Sequence, residues 1–190
     1  SMYYGSEIID IVPNEYFTEI EDEAAKVLSK QSGMLCLRYV RCLSESAAES
    51  LAKHEGPLSL VELTTLSSPA LARKLASDGE QVEGKLYLQH LTTLTEEAAE
   101  ELAKYPGRLH LDGLTHLTSE LAEKLSTHEG GLFLSGLISL SDEAAESLSR
   151  VRYRIYLPDD LHSKIDSVRL LTTDVVRDFL KTDDWERGTY

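Results

Sequence analysis

Six histidines and two cysteines are the residues here with the most chemistry to offer. A zinc site or an activated thiol would need several of them to converge, because zinc takes three or four fixed protein ligands. Their spacing argues against it. Cys36 and Cys42 form no C-x-x-C, and the chain holds no H-E-x-x-H, no G-x-S-x-G and no phosphate-binding glycine loop. His90 and His110 could approach one another from neighbouring strands, but two imidazoles without a third ligand are a weak zinc site. His116 and His162 add no recognisable spacing. His54, Tyr105 and His128 recur at equivalent places at helix ends, which predicts helix-terminal capping. Cys36 reads as a small packing residue. Asp159-Asp160 and Asp183-Asp184 read as solvated turns, since adjacent carboxylates do not converge on one substrate. The expectation is therefore no catalytic residue, no metal and no cofactor.

The strongest pattern is a repeat. Gly84-Lys85-Leu86-Tyr87-Leu88 returns as Gly107-Arg108-Leu109-His110-Leu111 and as Gly130-Gly131-Leu132-Phe133-Leu134, a period of 23. Gly33 and Gly56 keep the same interval, whereas Gly56 to Gly84 spans 28. Of the five extra residues, one falls at Ser67-Ser68 and four within Ser77–Glu83, an acidic insertion expected to bulge from the rim. Five units match the frame G-x-L-x-L-x-x-L-x-x-L-[ST]. Weaker copies flank them at Val12, Phe17, Ile20, Ala24, Ala25 and Leu28, and at Leu171-Thr172, Val175-Val176 and Phe179-Leu180. The chain divides accordingly. Residues 1–32 hold a tag-like Ser1-Met2 and a degenerate N-terminal capping repeat, 33–152 hold five repeats, and 153–190 hold a degenerate repeat and a capping helix.

Each unit has two halves. The L-x-L half alternates like a strand, and units entering with one polarity should pair in parallel. Leu88, Leu111 and Leu134 should be buried. The other half is helical: Thr95 is an N-cap, Glu96 and Glu97 sit where the helix dipole favours acid, and Ala98, Ala99, Leu102 and Ala103 share one face. Ser68 before Pro69 is a second cap signal. Strands stack about 4.8 Å apart and helices roughly 8–10 Å, so a row of both should bend. The expected fold is an α/β solenoid, a curved arc with short parallel strands on the concave face and α-helices on the convex face.

With the runs Leu35, Leu37, Val40, Leu43 and Ser44 through Leu132, Leu134, Leu137, Leu140 and Ser141, the chain resembles a leucine-rich repeat protein. It is most similar to the cysteine-containing subclass and to short bacterial variants of about 23 residues. The family usually carries Asn or Cys where this chain has Val40, Leu63, Leu91, Leu114 and Leu137. The loop backbones therefore need other partners, with Thr64, Thr65, Thr92, Thr93 and Thr115 as candidates. The resemblance implies a scaffold that recognises proteins through its concave sheet, and it implies no chemistry.

On that sheet, side chains flanking the leucines should face outward. One column reads Cys36, Ser59, Tyr87, His110, Phe133, Tyr156, ending in an aromatic stripe. Lys85, Arg108 and Arg154 lie on one side of it, and Arg38, Gln89 and Asp112 on the other. Exposed rings beside arginine are what binding hot spots are made of, although stacking of neighbouring rings alone would also account for them. These positions carry four cations against one carboxylate, while the whole chain carries −14, its acid concentrated on helices. The net charge argues against nucleic acid as a partner, and a mildly basic groove could steer an acidic peptide, although solvating the convex face and complementing helix N-termini is the simpler account of the helix carboxylates. No apolar run approaches the roughly 20 residues that span a bilayer, and no charged-then-apolar leader opens the chain. Two cysteines without a disulfide framework fit a reducing, cytoplasmic interior. The favoured reading is a monomeric or weakly self-associating binder of a protein or peptide. The alternatives are an assembly segment of a larger protein and, last, an enzyme.

Overall fold

The computed structural model describes residues 8–10, 18–78, 81–82 and 84–168. Helices α1 (Asp22–Leu28), α2 (Glu45–Leu51), α3 (Pro69–Asp78), α4 (Glu96–Ala103), α5 (Ser119–Ser126) and α6 (Asp142–Ser149) recur once per unit. A further helical run, α7, covers 159–168. The hydroxyls of Ser44, Thr95, Thr118 and Ser141 accept a hydrogen bond from the backbone N–H three residues on, a cap worth about 1 kcal/mol each. Ser68 does the same for Leu71, so α3 starts where the Ser-Pro signal placed it. The expectation for Asp159-Asp160 needs correction. They open α7 instead of forming a turn, because the positive end of a helix accommodates carboxylates.

The strand halves pair in parallel. Strands β1 (Ile8–Asp10), β2 (Met34–Cys36) and β3 (Leu58–Ser59) form one sheet. After β4 (Thr65–Leu66), a second sheet holds β5 (Gln81–Val82), β6 (Lys85–Tyr87), β8 (Arg108–His110), β9 (Leu132–Phe133) and β10 (Ile155–Tyr156), with β7 (Thr93–Leu94) between β6 and β8 in the chain. Leu86, Leu109, Leu132 and Ile155 lie opposite one another in register, as do Leu35 and Leu58. The frame set by the glycines is therefore the pairing frame. A smaller sheet, β4 with β7, joins Thr65 to Thr93, a pairing the leucine pattern did not reveal.

Between the two layers lies one apolar core. Leu88, Leu111 and Leu134 are buried, as expected, together with Leu86, Leu109 and Leu132. The alanine pairs Ala98-Ala99 and Ala144-Ala145 are buried too, and helices that follow one another in the chain pack together from α1 to α6. Small side chains at those contacts let the helix axes come close. On the outer side of this layer Glu101 accepts hydrogen bonds from Arg73, one unit back, at 3.0 Å and from Lys104 at 2.8 Å. Those two cations hold its carboxyl at about 2 against the opposing effect of burial. The stability they contribute is present above the ordinary carboxylate value of 4.5 and fades as pH falls towards 2.

Val12, Phe17, Gly79 and the C-terminal segments at Leu171, Val175 and Phe179, with Asp183-Asp184 and Ser1-Met2, lie outside the described residues. The insertion does more than bulge. Gln81 and Val82 run antiparallel against Leu86 and Lys85, and Gly84, at φ +71°, supports the reversal.

The repeated glycine has a packing cause. A Cβ on Gly130 would lie 1.8 Å from the carbonyl oxygen of Gly107, and one on Gly56 would lie 1.7 Å from that of Gly33. At Gly56, Gly107 and Gly130 the backbone thus rests directly on the glycine one unit before, whereas a Cβ on Gly84 would meet nothing within 4 Å. Gly130→Ala should destabilise the chain by about 1–3 kcal/mol or more in chemical denaturation. Gly131→Ala, whose nearest neighbour would be 3.4 Å away, should be close to neutral. Equal effects from the two variants would refute the close-approach explanation.

Candidate binding surface

Because β6, β8, β9 and β10 are in register, their last residues align across the sheet. Tyr87 and His110 stack with ring centroids 4.8 Å apart, His110 and Phe133 at 4.0 Å, and Phe133 and Tyr156 at 4.0 Å. The planes lie within 26° of parallel throughout. All four rings remain half-buried, so their edges reach solvent. Strand spacing of about 4.8 Å brings flat side chains near stacking distance, and the last two pairs close up further to 4.0 Å.

The flanks are as the frame placed them. Arg108 and Arg154 are exposed and Lys85, opposite Arg108, is half-buried. Arg154 also reaches the Tyr156 hydroxyl at 3.4 Å, tying one cation to the last ring. On the other side Gln89 and Arg38 are exposed. Asp112 is engaged within the protein: Oδ2 meets Nδ1 of His110 at 3.3 Å, and Oδ1 accepts from the Ser135 N–H at 3.0 Å. It orients the second ring and holds the next unit's turn. The imidazole's other nitrogen, Nε2, is buried with no hydrogen-bond partner.

The column changes character towards the N-terminus. Cys36 and Ser59 were expected on the open face with the rings, and both are buried. The ring-bearing surface is therefore confined to the units that follow the insertion. Here the frame predicted direction but not depth, since a side chain of two heavy atoms does not project beyond its neighbours.

The expected helix-terminal role holds for His128, on the helix of the preceding unit, and not for His54 or Tyr105. All three are buried, and the histidines reach into the preceding unit instead of capping their own helix. His54 Nε2 lies 2.9 Å from the Gly33 carbonyl oxygen, and His128 Nδ1 lies 3.2 Å from that of Ala103, the last residue of α4. Their reach follows from their length: the ring spans one stacking interval. The threonine expectation holds at two positions. Thr64 Oγ1 donates to the Arg41 carbonyl at 2.9 Å and Thr92 Oγ1 to the Thr64 carbonyl at 3.2 Å. Thr115 instead meets His116 Nδ1 at 3.0 Å, while Thr65 and Thr93 pair through their backbones.

Exposed His90 sits in the turn after β6. No group of three or more His, Cys, Asp or Glu side chains gathers around a common point among the described residues. No described helix is long and apolar enough to cross a membrane. No family model, no curated protein and no solved structure matches the chain.

Burial pushes the His128 imidazole below its ordinary value of 6.5, and bonds to backbone carbonyls only partly oppose it. The folded state thus binds fewer protons at this site than the unfolded chain. Its contribution is complete above pH 6.5 and is lost as pH falls below it. Tyr105 fills the same place one unit earlier without an imidazole. His128→Tyr should therefore flatten the stability profile between neutral pH and about pH 5 in denaturant titrations. An unchanged profile would show that His128 does not set this dependence.

Proposed function

We propose that the chain is a leucine-rich-repeat solenoid whose strand face binds a protein or peptide without covalent chemistry. One observation carries this reading: four stacked rings stay partly exposed in an unbroken column, with Lys85, Arg108 and Arg154 along one border. A contiguous row of apolar ring edges in water is uncommon without a partner to cover it. Stacking also fixes the rings in advance, so little side-chain freedom remains to be lost on binding. The cations beside them suit an acidic segment, and the acid on the helices keeps such a segment away from the opposite side.

Close stacking supports a second reading as well, in which the rings serve the sheet alone at about 0.5–1.5 kcal/mol per pair. The two separate cleanly. A chain carrying Tyr87→Ala and Phe133→Ala should remain folded by circular dichroism yet fail to retain the protein that the unaltered chain captures from its source lysate. A melting point lowered by many degrees, with capture unchanged, would establish the stabilising role in place of the binding one.

A further inference from the structure

One rung of the ladder is missing. At four boundaries the second leucine of a unit donates its N–H to the next unit's central carbonyl: Leu37 to Ser59, Leu88 to His110, Leu111 to Phe133 and Leu134 to Tyr156, all at 2.9–3.0 Å. The fifth equivalent, Leu60 to Tyr87, is not made, and β3 and β6 belong to different sheets. The break falls where the second unit carries its extra residues, and β5 occupies part of the β6 edge that β3 would have used. Across the same boundary α3 packs on α4 and β4 pairs with β7. The opening is thus confined to the strand face.

What opens there is a slot of about 310 Å³. Leu58, Leu60, Leu75 and Leu88 line its depth, and Arg38 and Gln89 stand at its mouth. Ser59 also lines it; its residue is 2% exposed and its hydroxyl has no hydrogen-bond partner. Arg38 is exposed and pairs with no described carboxylate.

We propose that this slot docks an extended peptide segment of a partner, presenting one large apolar side chain beside an acidic residue. Four unmet demands converge on that chemistry. The Leu60 N–H lacks the carbonyl that its equivalents possess, and a peptide backbone supplies one. The Ser59 hydroxyl needs a polar group within reach, which the same backbone also offers. The leucine walls take an aliphatic or aromatic side chain, and Arg38 takes the carboxylate. A purely apolar small molecule would leave both the amide and the hydroxyl unsatisfied. A helix keeps its carbonyls within its own ladder and cannot serve the edge of β3. Tyr87, the first ring of the column, borders the slot, whereas His110, Phe133 and Tyr156 do not line it, and the slot would remain if those rings served stability alone.

A displayed library of random seven-residue peptides, panned on the immobilised full chain, tests this. Recovered peptides should share a large apolar residue within two positions of Asp or Glu. Binding of a synthesised winner should fall at least tenfold with Arg38→Glu, recover partly with Arg38→Lys, and vanish with Ser59→Tyr, which fills the slot. Phe133→Ala should leave it within twofold, and the Leu60 amide resonance should move on addition of peptide. Arg38→Glu lies at the surface and decides the matter if Ser59→Tyr fails to fold. No enrichment, winners that need Phe133 but ignore Arg38 and Ser59, or an unmoved Leu60 amide would overturn the proposal. So would decanoate binding or self-association that Ser59→Tyr abolishes while no peptide binds, since either would assign the slot another occupant.

Discussion

A short strand of two or three residues cannot hold itself together, and every feature of this chain follows from how that deficit is met. The hydrogen bond from the second leucine of one unit to the central carbonyl of the next supplies the missing partner. It also aligns the leucines into one core and the intervening residues into columns. Register matters more than composition here. A slip of one residue would turn the leucines outward and bury the rings. The glycine contacts, with one unit's backbone resting on the previous glycine's carbonyl, hold that register in place.

Much of this was legible in the sequence because the period of 23 acts as a ruler. Whatever repeats must stack if its apolar side is to leave water, so the burial of Leu88, Leu111 and Leu134 and the capping by Thr95 and Ser68 could be read directly. The ring column was visible for the same reason, as Tyr87, His110, Phe133 and Tyr156 occupy equivalent places. Features that depend on distance between units were not legible. His54 and His128 looked like helix-terminal caps, yet their rings reach the unit before, His54 onto Gly33 and His128 onto the end of α4. Asp112 looked like a surface contact, and its two oxygens instead hold His110 and the Ser135 amide.

The second unit marks where the ruler fails. Its five extra residues were counted from the glycine spacing, but their consequence was not: β5 takes an edge of β6, the ladder is interrupted, and a slot opens beside Ser59. The one signal available beforehand was the coincidence of this insertion with the change from Cys36 and Ser59 to aromatic residues in the same column. In physical terms the two regions differ in what neighbours demand. Where the ladder is continuous, flat rings fit at strand spacing; where it breaks, short side chains border an apolar gap.

Amide hydrogen exchange, resolved by residue, tests the ladder most directly. Leu37, Leu88, Leu111 and Leu134 should exchange slowly, since each donates to a neighbouring unit, and Leu60 should exchange markedly faster. Uniform protection that includes Leu60 would contradict the interrupted ladder, and fast exchange at Leu88, Leu111 and Leu134 would contradict the stacking of units altogether.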